Sequence, residues 1–134
     1  MDKIEGKQVA FNVNSIIENI IKIPIEMQEN RDSNLLEIFT NSKYCDYYNS
    51  ITESGIKRYL SINSDHINQW LVYSEDKRTD KGYFIVSKNE EYLVGFCDIY
   101  SGNTIEIIEA YHKSQIADAC AKFIKLELEY LRNL

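Results

Sequence analysis

"GYFIVSKNEEYLVGFCDIYSGNTIEIIEAY", residues 82–111, is where the hydrophobic pattern of this chain changes period and where its fold is decided. Tyr83, Ile85 and Ser87 alternate with Phe84, Val86 and Lys88. Tyr92, Val94, Phe96 and Asp98 then alternate with Leu93, Gly95, Cys97 and Ile99, and "TIEIIEAY" follows the turn residues Ser101, Gly102 and Asn103. A period of two is what a pleated strand imposes, because successive side chains leave opposite faces. The connection at Asn89 and Glu90 is short enough to force hairpin pairing, so an antiparallel meander of three strands, or four, is expected over 82–111.

On both sides of the meander the period is near 3.6. "SIIE", with Ser15 as N-cap and Glu18 three residues on, predicts a helix start, with Ile17, Ile20 and Ile21 on one face. Pro24 removes a backbone donor, so that helix ends near Ile23 or kinks and continues. Short helices are predicted over 33–40 and, in two pieces, within 44–63. Another runs from Asp65 to about Tyr73, although Trp70 to Tyr73 also suit a strand. After the meander, Ala117, Ala121, Ile124, Leu128 and Leu131 form one apolar stripe and predict a helix over 114–132. Its other face carries Asp118, Lys122, Lys125, Glu129 and Arg132, which reads as a solvated charge ladder. The expected class is α+β: a helical first half over 14–73, the meander, and a C-terminal amphipathic helix packed on the sheet, all in one domain spanning 1–134.

Composition bounds the function. At 134 residues with 44% hydrophobic and 27% charged content, the chain suits one globular domain. No apolar run reaches the length of a membrane span and "MDKIEGKQVAFNVNS" has no signal-peptide core, so a cytoplasmic protein that does not engage the membrane is expected. Cys45, Cys97 and Cys120 are odd in number and widely spaced, which predicts buried reduced thiols rather than disulfides or a zinc site. The net charge of −6 speaks against a partner held through phosphates, and hence against nucleic acid. The acid is concentrated: between Lys88 and Lys113 stand Glu90, Glu91, Asp98, Glu106 and Glu109, with no Lys or Arg.

No catalytic constellation emerges. His66 and His112 lie outside any HExxH or HxH pattern and read as surface or cap positions, and the five glycines form no phosphate loop. Neither a metal nor a cofactor is expected. Glu75-Asp76, Glu90-Glu91 and Glu106/Glu109 are paired carboxylates, and acid-base work would need two of them converging in a cleft; adjacent strand residues point to opposite faces, so Glu90 and Glu91 cannot both enter one site.

What recurs is tyrosine beside acid, in "YCDYY", "VYSED", "EEYL", "CDIY" and "EAYH". Tyrosine joins a large apolar body to a polar tip and is enriched at protein interfaces. A binding surface on the meander and its edges is therefore expected: Glu90, Glu91, Asp98, Glu106 and Glu109 as charges, Tyr92, Tyr100 and Tyr111 as anchors, and Glu75, Asp76 and Arg78 in an adjoining exposed connection. Asp80, Lys81 and Gly82 would turn that connection into the first strand. Trp70 and Phe96 are expected in the core.

The blocks "WLVYSEDKRTDKGYFIV" (70–86), "EYLVGFCDIY" (91–100) and "ACAKFIKLELEYL" (119–131) resemble small bacterial immunity proteins of polymorphic-toxin and contact-dependent growth inhibition systems. The likeness lies in size, acidity, a tryptophan-led first strand, a charged "SEDKR" loop, a short meander and a terminal helix, and it covers about the second half of the chain. The resemblance implies a non-enzymatic inhibitor that binds the C-terminal domain of one cognate toxin, often a nuclease, and covers its basic cleft. Lys77, Arg78 and Lys81 depart from that pattern, since their charge opposes such a cleft. Two other classes remain: a module that self-associates through the same sheet, and a small carboxylate-dependent enzyme.

Overall fold

The protein is described from a computed structural model, over residues 13–29, 34–77, 81–102 and 104–134. Helix α1 occupies 13–21 and buries Ile16, Ile17, Ile20 and Ile21. It is already helical at residue 13, so Ser15 lies within it and does not cap it. The proline acts through a break: Lys22 is a turn, and α2 (Ile23–Glu29) restarts with Pro24 in its first turn, where a missing N–H is harmless. The indole of Trp70 donates to the carbonyl of Ile21 at this break, at 3.0 Å.

Caps set the next helices. Asn34 accepts from the Glu37 amide to begin α3 (Leu35–Asn41), and Thr52 accepts from Gly55 to begin α5 (Glu53–Ile62), with the single turn α4 (Tyr44–Tyr47) between them. Helix α6 (Asp65–Lys77) buries Ile67, Trp70 and Tyr73. The two short helices expected within 44–63 are present. Trp70, however, leads no strand; it lies inside α6, which runs to Lys77, and Glu75 and Asp76 belong to a helix end rather than a connection. Arg78 and Asp80 lie outside the described residues. Ser74 explains the extension, because its hydroxyl accepts from the Ile85 amide at 2.9 Å and donates to the Ile85 carbonyl at 3.2 Å, docking the end of α6 on the strand that follows.

The sheet is β1 (Lys81–Lys88), β2 (Glu91–Asp98) and β3 (Thr104–His112), antiparallel in the order β1-β2-β3. Lys81 and Gly82 are thus strand residues, paired with Asp98 and Cys97. Asn89 and Glu90 both take left-handed backbone angles, φ 51° and 68°, the geometry of a two-residue hairpin whose twist matches its strands. Glu90 is therefore a turn residue, so pleat alternation does not govern it. Asp98 builds the second connection, accepting from the Tyr100 and Ser101 amides at 3.0 and 3.1 Å.

A one-turn 3-10 segment, Lys113–Gln115, capped by His112, leads into α7 (Ile116–Arg132). Helix α7 packs on the sheet, as the apolar stripe predicts, and also touches α5 and α6. It is the middle of three layers. Trp70, Tyr73 and Phe123 form one edge-on aromatic cluster, and Tyr83, Phe96 and Tyr130 form another against the sheet. Trp70 is buried as expected, whereas Phe96 is only half-buried. The fully buried Glu127 accepts from the Tyr73 hydroxyl at 2.6 Å.

The charge ladder of α7 is not a solvated face. Asp118 pairs with Lys57 at 2.9 Å and Lys122 with Glu53 at 3.5 Å. Lys125 donates to the Tyr44 hydroxyl and the Tyr48 carbonyl, Glu129 accepts from Tyr44 and Arg132, and the Arg132 guanidinium lies 3.8 Å from the Tyr48 ring centre. Helical spacing gives the same ladder whether water or another helix covers it, and here α4 and α5 do. The thiols also depart from expectation. Cys45 is exposed and Cys97 half-buried; only Cys120 is buried, its thiol pushed up to about 12 by burial.

Candidate functional site

The register fixes what each sheet face carries. Ile85 and Val94, 3% and 0% exposed, point inward with Tyr83, Tyr92 and Phe96. Phe84, Val86, Leu93, Gly95 and Cys97 therefore point outward. Cross-strand partners extend this to β3: Ala110 lies opposite Leu93, Ile107 opposite Gly95, and Ile105 opposite Cys97. The outer face is apolar from edge to edge. Helix α7 lies on the inner face and α6 lines only the β1 margin, where Leu71 and Ser74 form a groove with Phe84 and Val86.

Among the described residues, six of the nine exposed large apolar side chains belong to this sheet or its second turn: Val86, Ile99, Tyr100, Ile105, Ile107 and Ile108. Ile105 is 69% exposed and Ile107 47%. Apolar groups so concentrated call for an explanation that scattered ones would not need.

A bulge produces this arrangement. Val94 pairs with Glu109 and Gly95 with Ile107, which leaves Ile108 as an extra residue in β3. Strict alternation along "IEIIEA" would set Ile105 and Ile107 on the face of Glu109 and Tyr111. The extra residue inverts the parity, so Ile105 and Ile107 join Ala110 outside while Glu106 and Glu109 share the inner side. Gly95 is the complementary device: a Cβ there would stand 2.5 Å from the Glu106 carbonyl oxygen and 2.6 Å from the Phe84 ring. Only a residue without a side chain lets the bulged strand and that ring approach together.

The expected contact residues do not form one surface. Glu75 and Asp76 are exposed on the last turn of α6, Arg78 is outside the described residues, and Glu90 and Glu91 sit at the first hairpin. Asp98, buried at the other end of β2, is engaged in its own turn: hydrogen bonds from Ser101 first, with the Lys81 charge and the Tyr100 amide, hold its carboxyl below the ordinary range against the effect of burial. It is a structural residue. Lys81 stands 3.8 Å from it, which directs one of the three discordant cations towards the sheet's own acid. Tyr92 is half-buried on the inner face, while Tyr100 is exposed at the turn.

Glu106, Glu109 and Tyr111 are the three that the structure does bring together, on the inner side of β3. The Tyr111 hydroxyl donates to Glu109 at 2.6 Å; burial, that hydrogen bond and the charges of Glu109, Glu53 and Asp118 raise its pKa. No Lys or Arg of the described residues pairs with Glu106 or Glu109.

The apolar outer face was missed by pattern reading because both phases of an alternating strand look acceptable until the partner strand is placed. One signal was present: Gly95 inside a strand marks a bulge or a close approach. Two carboxylates, Glu53 and Asp118, line a groove of about 150 Å3 with Ser54, but each is ion-paired to a lysine. A larger groove of about 370 Å3 between α2 and α6 is lined by Pro24, Met27, Gln28, Gln69, Val72, Tyr73 and Asp76, with a single carboxylate. No group of three potential metal ligands occurs among the described residues. None of their helices is long and apolar enough to cross a membrane. No family model, no curated protein and no solved structure matches this chain.

Proposed function

We propose that this protein is a bacterial immunity protein: a cytoplasmic, non-enzymatic inhibitor that binds a cognate toxin domain and blocks it. The observation that supports this most is the solvent-facing apolar side of the sheet, bordered by a strand edge and by two carboxylates that pair with no cation among the described residues. A face of three strands paired over eight positions measures about 26 by 14 Å, less than half of the ~800 Å2 that each partner contributes to a standard interface. The toxin therefore extends past the outer face and over β3, reaching Glu106 and Glu109. Those charges and the net charge of −6 favour a basic partner surface, such as the cleft of a nuclease, and speed its approach.

The test is titration of the purified protein against the polypeptide encoded immediately upstream, using the parent, Ile105→Asp with Ile107→Asp, and Glu106→Lys with Glu109→Lys. Nanomolar binding weakened at least about tenfold by each pair supports both the function and the surface. Tight binding indifferent to both keeps the function and moves the surface elsewhere. An exposed apolar face equally suits a second copy of the chain, so the alternative is a self-associating module. Sedimentation decides: a dimer at micromolar concentration that the Ile105/Ile107 pair dissolves, with no binding of the upstream polypeptide, favours that alternative.

A further inference from the structure

The two edges of the sheet differ in a way that specifies a partner. The edge of β1 is occupied: Ser74 takes both the amide and the carbonyl of Ile85, and α6 packs along it. The edge of β3 has no such cover among the described residues. The last strand described in the sheet is β3, and among the described residues no backbone group of Thr104 to His112 bonds to anything but β2, aside from the cap on His112. Natural edge strands are usually blocked by a charge pointing inward, a proline or a covering element, and β3 keeps nine residues in extended form with no proline and, among the described residues, no cover. The bulge at Ile108 leaves ladder on both sides, and the inward carboxylates of Glu106 and Glu109 disfavour an acidic or wholly apolar strand there while leaving the edge open to a cationic one.

We propose that β3 accepts an extended segment of the protein partner as a fourth strand, and that this segment carries aliphatic residues on one face and lysine or arginine on the other. This rests on the proposal that the sheet binds a protein, and adds the mode and the partner's chemistry. The aliphatic face continues the outer surface of Ile105, Ile107 and Ala110. The cationic face lies beside Glu106 and Glu109, which have no cation of their own among the described residues. The same carboxylates argue against a second copy as occupant. Two β3 strands paired antiparallel, with their outer faces aligned, would gather four glutamates on one side of the new ladder, and like charges across a strand pair are destabilising. Backbone pairing supplies affinity here and alternate side chains supply selectivity.

Amide hydrogen exchange of β3 tests this with two probes: the upstream-encoded polypeptide, and a capped eight-residue peptide alternating lysine and valine, with a glutamate and valine peptide as control. The expected result is slowed exchange of β3 amides that are open in the free protein, and a lysine peptide that binds at least about tenfold tighter than the glutamate peptide. Glu106→Gln with Glu109→Gln, which keeps side-chain size, abolishes that preference. Protection of β3 by the lysine peptide without binding of the polypeptide upholds the strand site and removes the immunity reading. Polypeptide binding that leaves β3 exchange unchanged, or equal binding of the two peptides, overturns the strand site.

Discussion

Replacing Gly95 by alanine places a methyl group where two atoms already stand. The Glu106 carbonyl oxygen would be 2.5 Å from the new carbon and the Phe84 Cζ 2.6 Å, about an ångström inside ordinary contact. The ring can rotate away, but the carbonyl belongs to the bulged ladder between β2 and β3 and moves only if that pairing opens. Overpacking of this kind costs about 2–3 kcal/mol, at the upper end because one obstacle is backbone. For a domain of this size each kcal/mol lowers Tm by about 3–5 °C, so Gly95→Ala should melt roughly 6–15 °C below the parent. Thermal and urea unfolding followed by circular dichroism measure it, an unchanged m value showing that the unfolded state is unaltered. The double variant Phe84→Ala with Gly95→Ala separates the two obstacles. Its stability should stay at least about 1 kcal/mol below that of Phe84→Ala alone, because the carbonyl remains. A Gly95→Ala protein within about 0.5 kcal/mol of the parent would refute the close approach and, with it, the geometry assigned to the bulge.

Other consequences are as direct. Glu90→Gly relieves a left-handed, non-glycine backbone at the hairpin and should stabilise the protein by about 0.5–1 kcal/mol in urea unfolding; a loss of stability would show that the turn is not the two-residue form. Tyr73→Phe removes a hydroxyl that serves the buried Glu127 carboxylate and should destabilise by about 1–3 kcal/mol in urea unfolding, and stability within about 0.5 kcal/mol of the parent would show that this hydrogen bond contributes nothing. Burial acts to raise Glu129, but hydrogen bonds from Arg132 and Tyr44 and the Lys125 charge outweigh it and leave its pKa lowered in the folded state. Its contribution is therefore fully present above the ordinary carboxylate range and is lost as pH falls through the lowered value. Glu129→Gln should flatten the fall in stability measured between neutral and acidic pH; an unchanged slope would assign that fall to other carboxylates. In thiol labelling, Cys45 should react at once and Cys120 only on unfolding, and early loss of the Cys120 thiol would contradict its burial.

The helices and the meander were legible because each rests on a local period. The apolar spacing of α7 and the alternation from Tyr83 to Ile99 belong to single segments and need no partner to be seen. What escaped depends on pairs of segments. Trp70 suits a strand or a helix, and the choice was made by Ser74, which docks on Ile85 only if α6 continues past Tyr73. The α7 ladder looked solvated because charged residues at helical spacing do not reveal that Tyr44 and Tyr48 lie against them. The arrangement of the sheet's surface was half legible. Glu106, Glu109 and Tyr111 do converge, yet the apolar face beside them depends on a one-residue slip in β3 that only cross-strand register exposes.

The position of α7 in the chain has a consequence for synthesis. The layer between the sheet and α5 is supplied by the last of the described elements, so α5, α6 and the three strands are made before the helix they pack on exists. Until Phe123, Ile124 and Leu128 emerge from the ribosome, Trp70, Val94 and the inner face of the sheet lack their cover, and the outer face is exposed throughout. A nascent chain in that state presents apolar surface on both sides of an edge-open sheet, the condition that recruits chaperones and favours aggregation. Ribosome stalling before residue 116 should leave the chain protease-sensitive, and release past Arg132 should bring protection in a single step.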